Sequence, residues 1–223
     1  MADKTTVTIY GRLSFPVFSY AEAVARNAKS PTPNPDPTKV TPEFNLLLEE
    51  PQFQKFKDFC LKEFLPFCEE QFKAGEKRNA LSPADVARLV KLIESGDWDA
   101  QPPYIPFKAV SEKSLALMPD AVVSVKVKGQ RGVDIEQKAL VYTEDDLVVP
   151  DPTKPFVKGV FPIGKTVHTL YPGCYAGATL NLYSFLSGKL PGFSASAGVC
   201  VFKTDADRFG GGTAVDEDAL FED

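Results

Sequence analysis

Residues 173–185, Gly-Cys-Tyr-Ala-Gly-Ala-Thr-Leu-Asn-Leu-Tyr-Ser-Phe, alternate between two kinds of side chain. The even positions up to 182 are small or aliphatic, whereas Tyr175, Tyr183 and Phe185 stand at odd positions. Because successive strand residues face opposite sides, this period of two predicts a strand with one face in a tight core. The other face suits base stacking, which needs an aromatic plane with room around it. Alternatively, and with equal support, these tyrosines pack over a helical insertion and contact no base.

Further strands are predicted on the N-terminal and C-terminal sides of this stretch. Residues 5–15 alternate between apolar and polar side chains, while residues 43–49 predict a second strand and residues 194–203, apolar on both faces, predict a last, central one. In the first strand, an aromatic ring and a guanidinium two residues apart suit a base and a phosphate, although a solvated edge is the favoured interpretation of that strand alone. Its predicted core face holds Val7, Ile9, Leu13 and Phe15, and its solvent face holds Thr8, Tyr10, Arg12 and Ser14.

A charged hairpin is predicted between these strands. Residues 121–128 and 133–142 alternate, and the turn between them contains two glycines. A charged outer face is ordinary for a hairpin, so it indicates binding only where a neighbouring strand places aromatic rings beside it. The basic and aromatic residues of this hairpin are Lys126, Lys128, Arg131, Lys138 and Tyr142.

The hydrophobic period changes to 3.6 residues over about residues 51–96. A phenylalanine-rich stripe predicts a first helix, which Pro66 must kink or split because proline lacks the backbone N–H. Ser82 begins a second helix with a capping-box-like sequence, and Gly96 stands where a C-terminal cap belongs. This helical pair is predicted to be an insertion on a β scaffold. Residues 30–42 carry five prolines and predict an extended connecting loop.

Composition limits the class of protein. A chain of 223 residues with 43% apolar content can bury one core, and a single domain over residues 1–209 is expected. The sequence shows no run of about eighteen apolar residues and no secretory block, so we expect a cytoplasmic protein without a membrane segment. Four cysteines without a Cys-x-x-Cys pair predict reduced core thiols. His168 is the sole histidine, which argues against histidine-based catalysis and metal sites.

The acidic pair Asp145 and Asp146, with Asp134 and Asp151 at a distance, is the one hint of a metal-dependent nuclease. No lysine or histidine accompanies the pair at motif spacing, so a solvated loop is the favoured interpretation. We therefore expect no enzyme, no cofactor and no metal.

The last residues form an acidic tail behind a glycine linker. Three consecutive glycines at residues 210–212 favour a flexible tether, because glycine loses the most backbone entropy on ordering. The tail carries five of the 30 acids, which leaves 25 acids against 25 bases in the rest of the chain. A neutral body with a tethered anionic tail indicates control of access to a cationic groove. Around one apolar pair, the acids of the tail are arranged in the set Asp216, Glu217, Asp218, Leu220, Phe221, Glu222 and Asp223.

Several motifs carry a resemblance to a known family. The segment Tyr-Pro-Gly-Cys-Tyr-Ala-Gly-Ala at residues 171–178 is followed by Val-Cys-Val-Phe-Lys at 199–203, by Asp-Ala-Asp-Arg-Phe-Gly-Gly-Gly at 205–212 and by the acidic tail. Together with Gly-Arg-Leu-Ser-Phe at 11–15 and Phe-Asn-Leu-Leu-Leu at 44–48, this pattern resembles the single-stranded-DNA-binding proteins of tailed bacteriophages. It is distantly similar to the helix-destabilising protein of T7-like phages.

The resemblance implies a mainly β, OB-fold barrel that binds single-stranded DNA in phage replication, recombination and repair, in the cytoplasm of the infected bacterium. It also implies an acidic tail (residues 210–223 with the linker) that competes with DNA and recruits a DNA polymerase, primase or nuclease. A protein-interaction module without nucleic-acid binding, a strand-annealing protein and a homodimer stay open as alternatives. Alternation, and not the family, assigns the DNA-binding candidates Tyr10, Arg12, Lys126, Lys128, Arg131, Lys138, Tyr142, Tyr171, Tyr175 and Tyr183.

Overall fold

The computed structural model describes residues 3–98, 104–138, 140–141, 167–168, 170–204 and 206–209. It is a mixed α+β structure in which the described helices all lie between β1 and β4 along the chain. The elements are β1 (Thr6–Val17), α1 (Tyr20–Ala28), a 3-10 turn (Pro37–Lys39), β2 (Glu43–Glu49), α2 (Glu50–Phe59), a π-helical turn (Cys60–Phe64), α3 (Leu65–Lys73), α4 (Pro83–Ser95), β3 (Phe107–Lys108), α5 (Glu112–Leu117), β4 (Ala121–Lys128), β5 (Glu136–Lys138), β6 (Leu140–Val141), β7 (Val167–His168), β8 (Tyr175–Ser187), β9 (Leu190–Ser196) and β10 (Val199–Thr204).

An eight-stranded sheet forms the centre of the fold. Its strand order is β1-β2-β4-β9-β8-β10-β5, with β3 on β4, while β6 and β7 pair separately. Strand β1 pairs antiparallel with both β2 and β8, and β4 pairs antiparallel with β2 and parallel with β9. Since β9 also pairs with β8, these pairings close a circuit through β1, β2, β4, β9 and β8.

One cluster of buried side chains joins this circuit to the helices. The ring of Phe107 lies at its centre, with its centroid 5.2 Å from that of Phe56 on α2 and 6.4 Å from that of Phe193 on β9. On β8 the even positions from 176 to 182 are 0–2% exposed, which confirms the core face predicted from their alternation. These positions are Ala176, Ala178, Leu180 and Leu182.

The helical predictions between β2 and β4 are confirmed. The Ser82 hydroxyl accepts a hydrogen bond from the Asp85 N–H at 3.2 Å, and α4 ends at Gly96 with φ +73°. Pro66 splits the first helix as expected: a π-helical turn precedes it, in which the Leu65 N–H donates to the Cys60 carbonyl. The apolar stripe is buried at Phe53, Phe56, Cys60, Phe64 and Cys68.

The four cysteines are buried free thiols, as predicted. None of the described helices combines the length and the apolar content that crossing a bilayer requires.

Phe15 does not occupy the predicted core face. The register between β1 and β2 shifts between Ser14 and Val17, and Phe15 adopts φ +47°. This bulge rotates the side chain out of the alternation, so Phe15 is 62% exposed. The proline at position 16 is consistent with the break, because it has no backbone N–H to donate to the ladder.

The predicted hairpin between residues 121–128 and 133–142 is wrong. One edge of β4 is taken by β2 and the other by β3 and β9, so the following segment has no edge to pair with. Strand β5 instead pairs parallel with β10. Val133 is 52% exposed, while Ile135 is buried and its N–H donates to the Phe18 carbonyl at 2.8 Å.

The predicted last strand over residues 194–203 is two strands. β9 and β10 are separated at Ala197 and Gly198, whose backbone groups bond to other segments. The Ala197 N–H donates to the Lys128 carbonyl at 3.0 Å, and the Gly198 carbonyl accepts from the Glu136 N–H at 2.9 Å. Because the chain turns at these two residues, β9 pairs with the C-terminal part of β8 and β10 pairs with its N-terminal part.

Candidate nucleic-acid interface

A groove lies over the outer face of β1, β2 and β4, and α1 and the proline-rich loop close its other side. Its cavity has a volume of about 430 Å³. This feature is called the groove below. Its lining comprises Phe15, Val17, Ala23, Arg26, Asn27, Ser30, Asn34, Lys39, Val40, Thr41, Glu43, Asn45, Lys126 and Lys128. Four basic side chains and one aromatic ring therefore face one open space.

The proline-rich loop is a fastened wall of the groove as well as a connector. The Asn27 side-chain amide donates to the Asn34 carbonyl at 3.1 Å, and its side-chain oxygen accepts from the Asn34 N–H at 2.9 Å. The Tyr20 hydroxyl donates to the Pro37 carbonyl at 3.2 Å. The hydrogen bond from the Thr38 hydroxyl is the main cause that lowers the pKa of Asp36, and the Thr38 N–H adds to it. Asp36 caps the 3-10 turn. These bonds hold the loop against α1.

Phe15 separates the groove from a second cavity of about 290 Å³. Phe15 and Arg26 line both cavities. The ring of Phe15 therefore stands between two neighbouring open spaces. A non-glycine residue at positive φ is strained, and such strain is concentrated at functional sites.

Carboxylates partly neutralise the groove. Lys126 Nζ lies 2.7 Å and 2.9 Å from the two Glu43 carboxylate oxygens. Among the described residues, Lys128 has no acid within ion-pair distance. Two further pairs lie at the rim, Arg26 with Glu22 at 3.0 Å and Lys39 with Asp36 at 3.5 Å. Exposed pairs of this kind contribute only about 0–1 kcal/mol, so a phosphate can replace them at little cost.

Arg12 is not the solvent-facing phosphate ligand that the alternation predicted. It is 7% exposed, and its guanidinium donates to the carbonyls of Gly173, at 2.8 Å from Nε, and Asp207. Its Cζ lies 4.3 Å from the ring centroid of Phe209 and 5.9 Å from that of Tyr175. The prediction failed because residues 206–209 return from the far end of the chain and cover this face.

Among the described residues, Tyr10 and Tyr175 share no cavity with the candidate lysines Lys126 and Lys128. They line a third cavity of about 120 Å³, whose lining the predicted lysines do not join. The Tyr175 hydroxyl donates to Glu49 Oε1 at 2.8 Å, and burial, followed by this carboxylate, raises the pKa of Tyr175 to about 12. Lys203 Nζ lies 3.9 Å from the ring centroid of Tyr10, whose pKa burial raises.

The other candidates are dispersed. Tyr183 is half-buried beside Phe185, at 6.3 Å between ring centroids, and the Tyr171 hydroxyl bonds to the backbone of Ala206. Arg131 is exposed in a turn, and Lys138 pairs with Glu136 at 3.7 Å. The predicted DNA-binding candidates therefore do not line one surface together: of those that the structure describes, the groove receives Lys126 and Lys128. Tyr142 and the tail residues lie outside the described residues.

Sequence reasoning missed the groove residues Phe15, Arg26 and Lys39. Arg26 and Lys39 belong to the connection between β1 and β2. The hydrophobic periodicity of the sequence does not indicate that this connection folds against the sheet. The one available signal for Phe15 was the following proline, which marks a break in the strand. No group of three or more histidine, cysteine or acidic side chains able to hold a metal occurs in the part of the chain that the structure describes.

Gly173 fits residues 206–209 against β1. It has φ +106°, and a Cβ there would lie 2.2 Å from the Asp207 carbonyl oxygen. We expect Gly173→Ala to lower the free energy of unfolding by roughly 2–5 kcal/mol, combining backbone strain with overpacking. Gly188→Ala is the control, because Gly188 has φ +65° but open space, and should cost only about 1–2 kcal/mol. Equal costs in urea unfolding followed by Trp98 fluorescence would contradict this packing.

Comparison with known proteins gives distant structural relatives. No protein-family model and no curated protein matches the chain. The single-stranded DNA-binding protein from bacteriophage Enc34 superposes with a TM-score of 0.47 at 10% identity, covering 98% of this chain and 91% of that one. Its complex with single-stranded DNA gives 0.47 at 11% identity, with coverage of 93% and 91%. For gp2.5, a single-stranded DNA-binding protein encoded by bacteriophage T7, the values are 0.35 at 16% identity, with coverage of 98% and 96%. The chain is thus distantly similar to phage single-stranded-DNA-binding proteins.

Proposed function

We propose that this protein binds single-stranded DNA without sequence preference, and that the groove is its binding surface. The observation that carries the proposal is the exposed Phe15, which stands at positive φ between two cavities with basic residues on both sides. Stacking platforms set in a cationic track are how proteins bind unpaired strands.

We also propose that the closed circuit of strands is an OB-fold barrel. Its five strands in chain order are β1, β2, β4, β8 and β9, and they are arranged first-second-third-fifth-fourth. OB-folds bind oligonucleotides on the face of their second and third strands and with the loop between the first two. Here that face carries Asn45, Lys126 and Lys128, and that loop contains α1 and the proline-rich wall. The groove therefore lies where an OB-fold binds its ligand.

Binding would combine two independent contributions. Phosphates would replace the carboxylates at Arg26, Lys39 and Lys126 and add to Lys128, which makes affinity fall with salt. A base would stack on Phe15, a contact worth roughly 1–3 kcal/mol that is largely blind to sequence. Because paired bases offer no free faces, the groove would prefer single strands to duplex. The protein would act by binding, with no catalytic step.

The acidic tail would compete with DNA for the groove. Phe209, which directly precedes the glycine linker, lines the second cavity beside Phe15. The tail is therefore attached next to the basic face, where its five carboxylates reach millimolar effective concentration. Once DNA displaces the tail, Leu220 and Phe221 would become available to a polymerase, primase or nuclease. This would place the protein in phage DNA replication, recombination and repair.

Deleting residues 212–223 is expected to tighten binding of oligothymidine by roughly two- to tenfold at low salt, because a tethered competitor at millimolar concentration is removed. Binding measured by fluorescence anisotropy at several salt concentrations checks this. A full-length variant with the five tail acids changed to amides is the matched control and should behave like the deletion. Unchanged affinity at low salt would contradict competition by the tail.

The proposed function is tested by titrating the full chain with labelled oligothymidine and with duplex DNA of equal length. We expect tighter binding to the single strand and a linear fall of log affinity with log salt. No binding at low salt would reject the proposal and favour a protein-interaction module.

A further inference from the structure

The second cavity has the features of a binding site in its own right. It has a volume of about 290 Å³, close to the lower end of small-molecule sites, which is about 300 Å³. Two aromatic rings and two prolines give it apolar walls, and two cations lie at its rim. Its lining comprises Ser14, Phe15, Pro16, Arg26, Lys113, Ser114, Pro172 and Phe209.

Phe209 is a fixed wall of this cavity. The Arg12 guanidinium carbon lies 4.3 Å from the centroid of the Phe209 ring, and the Phe209 backbone N–H donates to the Pro172 carbonyl at 2.9 Å. Arg12 is itself held by the Gly173 and Asp207 carbonyls. A ring positioned in this way can stack on a ligand without first being ordered, which lowers the entropic cost of binding.

The cations at the rim suit an anion next to the apolar walls. Lys113 is exposed on α5, and among the described residues no acid lies within ion-pair distance of it. Arg26 extends between the groove and this cavity and lines both. A ligand with a flat apolar ring and an adjoining phosphate matches this arrangement, and a nucleotide has both.

We propose that the second cavity takes one further base of the strand bound in the groove, stacked between Phe15 and Phe209, with its phosphate at Lys113. This inference rests on the proposed function. It makes Phe209 a DNA contact at the root of the acidic tail, so that filling this cavity places DNA against the residue from which the tail departs.

The test compares the variants Phe209→Ala and Lys113→Glu with the parent chain, using oligothymidines of increasing length. Both variants should bind long oligothymidines at least about fivefold more weakly, in line with the loss of one stacked base or one phosphate contact. Both variants should bind oligomers that are too short to extend past the groove with the affinity of the parent. The number of nucleotides that each bound protein covers should fall by about one in both variants. Lys91→Glu, an exposed change on α4 outside both cavities, is the control and should match the parent.

Photocrosslinking of bound oligothymidine followed by mass spectrometry supplies a second readout, with a crosslink expected at Phe209. Affinities of both variants equal to the parent at every length, while the parent still binds, would overturn this inference and leave the proposed function intact. A loss in Phe209→Ala alone, with no effect of Lys113→Glu and no crosslink, would assign Phe209 a structural role and also overturn it. A parent chain that binds no oligomer of any length would reject the proposed function instead.

Discussion

The variant Phe15→Ala is expected to bind oligothymidine roughly 5- to 150-fold more weakly than the parent chain, which corresponds to a loss of about 1–3 kcal/mol for one stacked base. The ring is 62% exposed and stands between the two cavities, so its removal takes away contact area that DNA would use and little of the core. Fluorescence anisotropy at fixed salt measures the loss.

Two further variants make this prediction specific. Phe15→Trp should retain most of the affinity, because a larger aromatic face still stacks. Phe72→Ala removes another exposed ring, 48% exposed at the end of α3, and should have no effect on DNA binding. Equal affinities of Phe15→Ala and Phe72→Ala would show that Phe15 is not a stacking platform.

The double variant Lys126→Glu and Lys128→Glu is expected to lose at least about 100-fold in affinity at low salt, since juxtaposed like charges cost several kcal/mol. It places three carboxylates together, because Lys126 already faces Glu43. Reversing two phosphate contacts should also lower the slope of log affinity against log salt by roughly 1.4.

The matched control is the double variant Lys77→Glu and Lys91→Glu, which changes net charge equally at exposed sites outside the cavities. It separates a local contact from the long-range field of the protein. A salt slope equal in the two double variants would contradict phosphate binding by the groove lysines.

Local pattern predicted those parts of the fold in which neighbouring residues decide the structure. The alternation in β8 and the capping signals of Ser82 and Gly96 are local, and each is confirmed. Pro66 is local as well, because the missing N–H must be accommodated within one turn. Such signals do not depend on where the rest of the chain goes.

The candidate site was less predictable because distant segments build it. Arg12 alternates as a solvent-facing residue, yet residues 206–209 cover it. Phe15 alternates as a core residue, yet a bulge turns it outward. Lys126 and Lys128 were predicted correctly to face outward, but as part of a hairpin that does not form, since β2, β3 and β9 already occupy the edges of β4. Strand partners and covering segments are tertiary choices that alternation alone cannot specify.

Hydrogen exchange of the full chain, with and without saturating oligothymidine, tests the location of the binding surface most directly. A groove that binds DNA predicts slower exchange in peptides from residues 12–17, 26–45 and 124–130, and unchanged exchange in residues 183–192 around Tyr183 and the β8–β9 turn. Slower exchange in residues 183–192, with none around Phe15 or Lys126, would contradict the groove and place any DNA binding on the tyrosine-bearing end of β8.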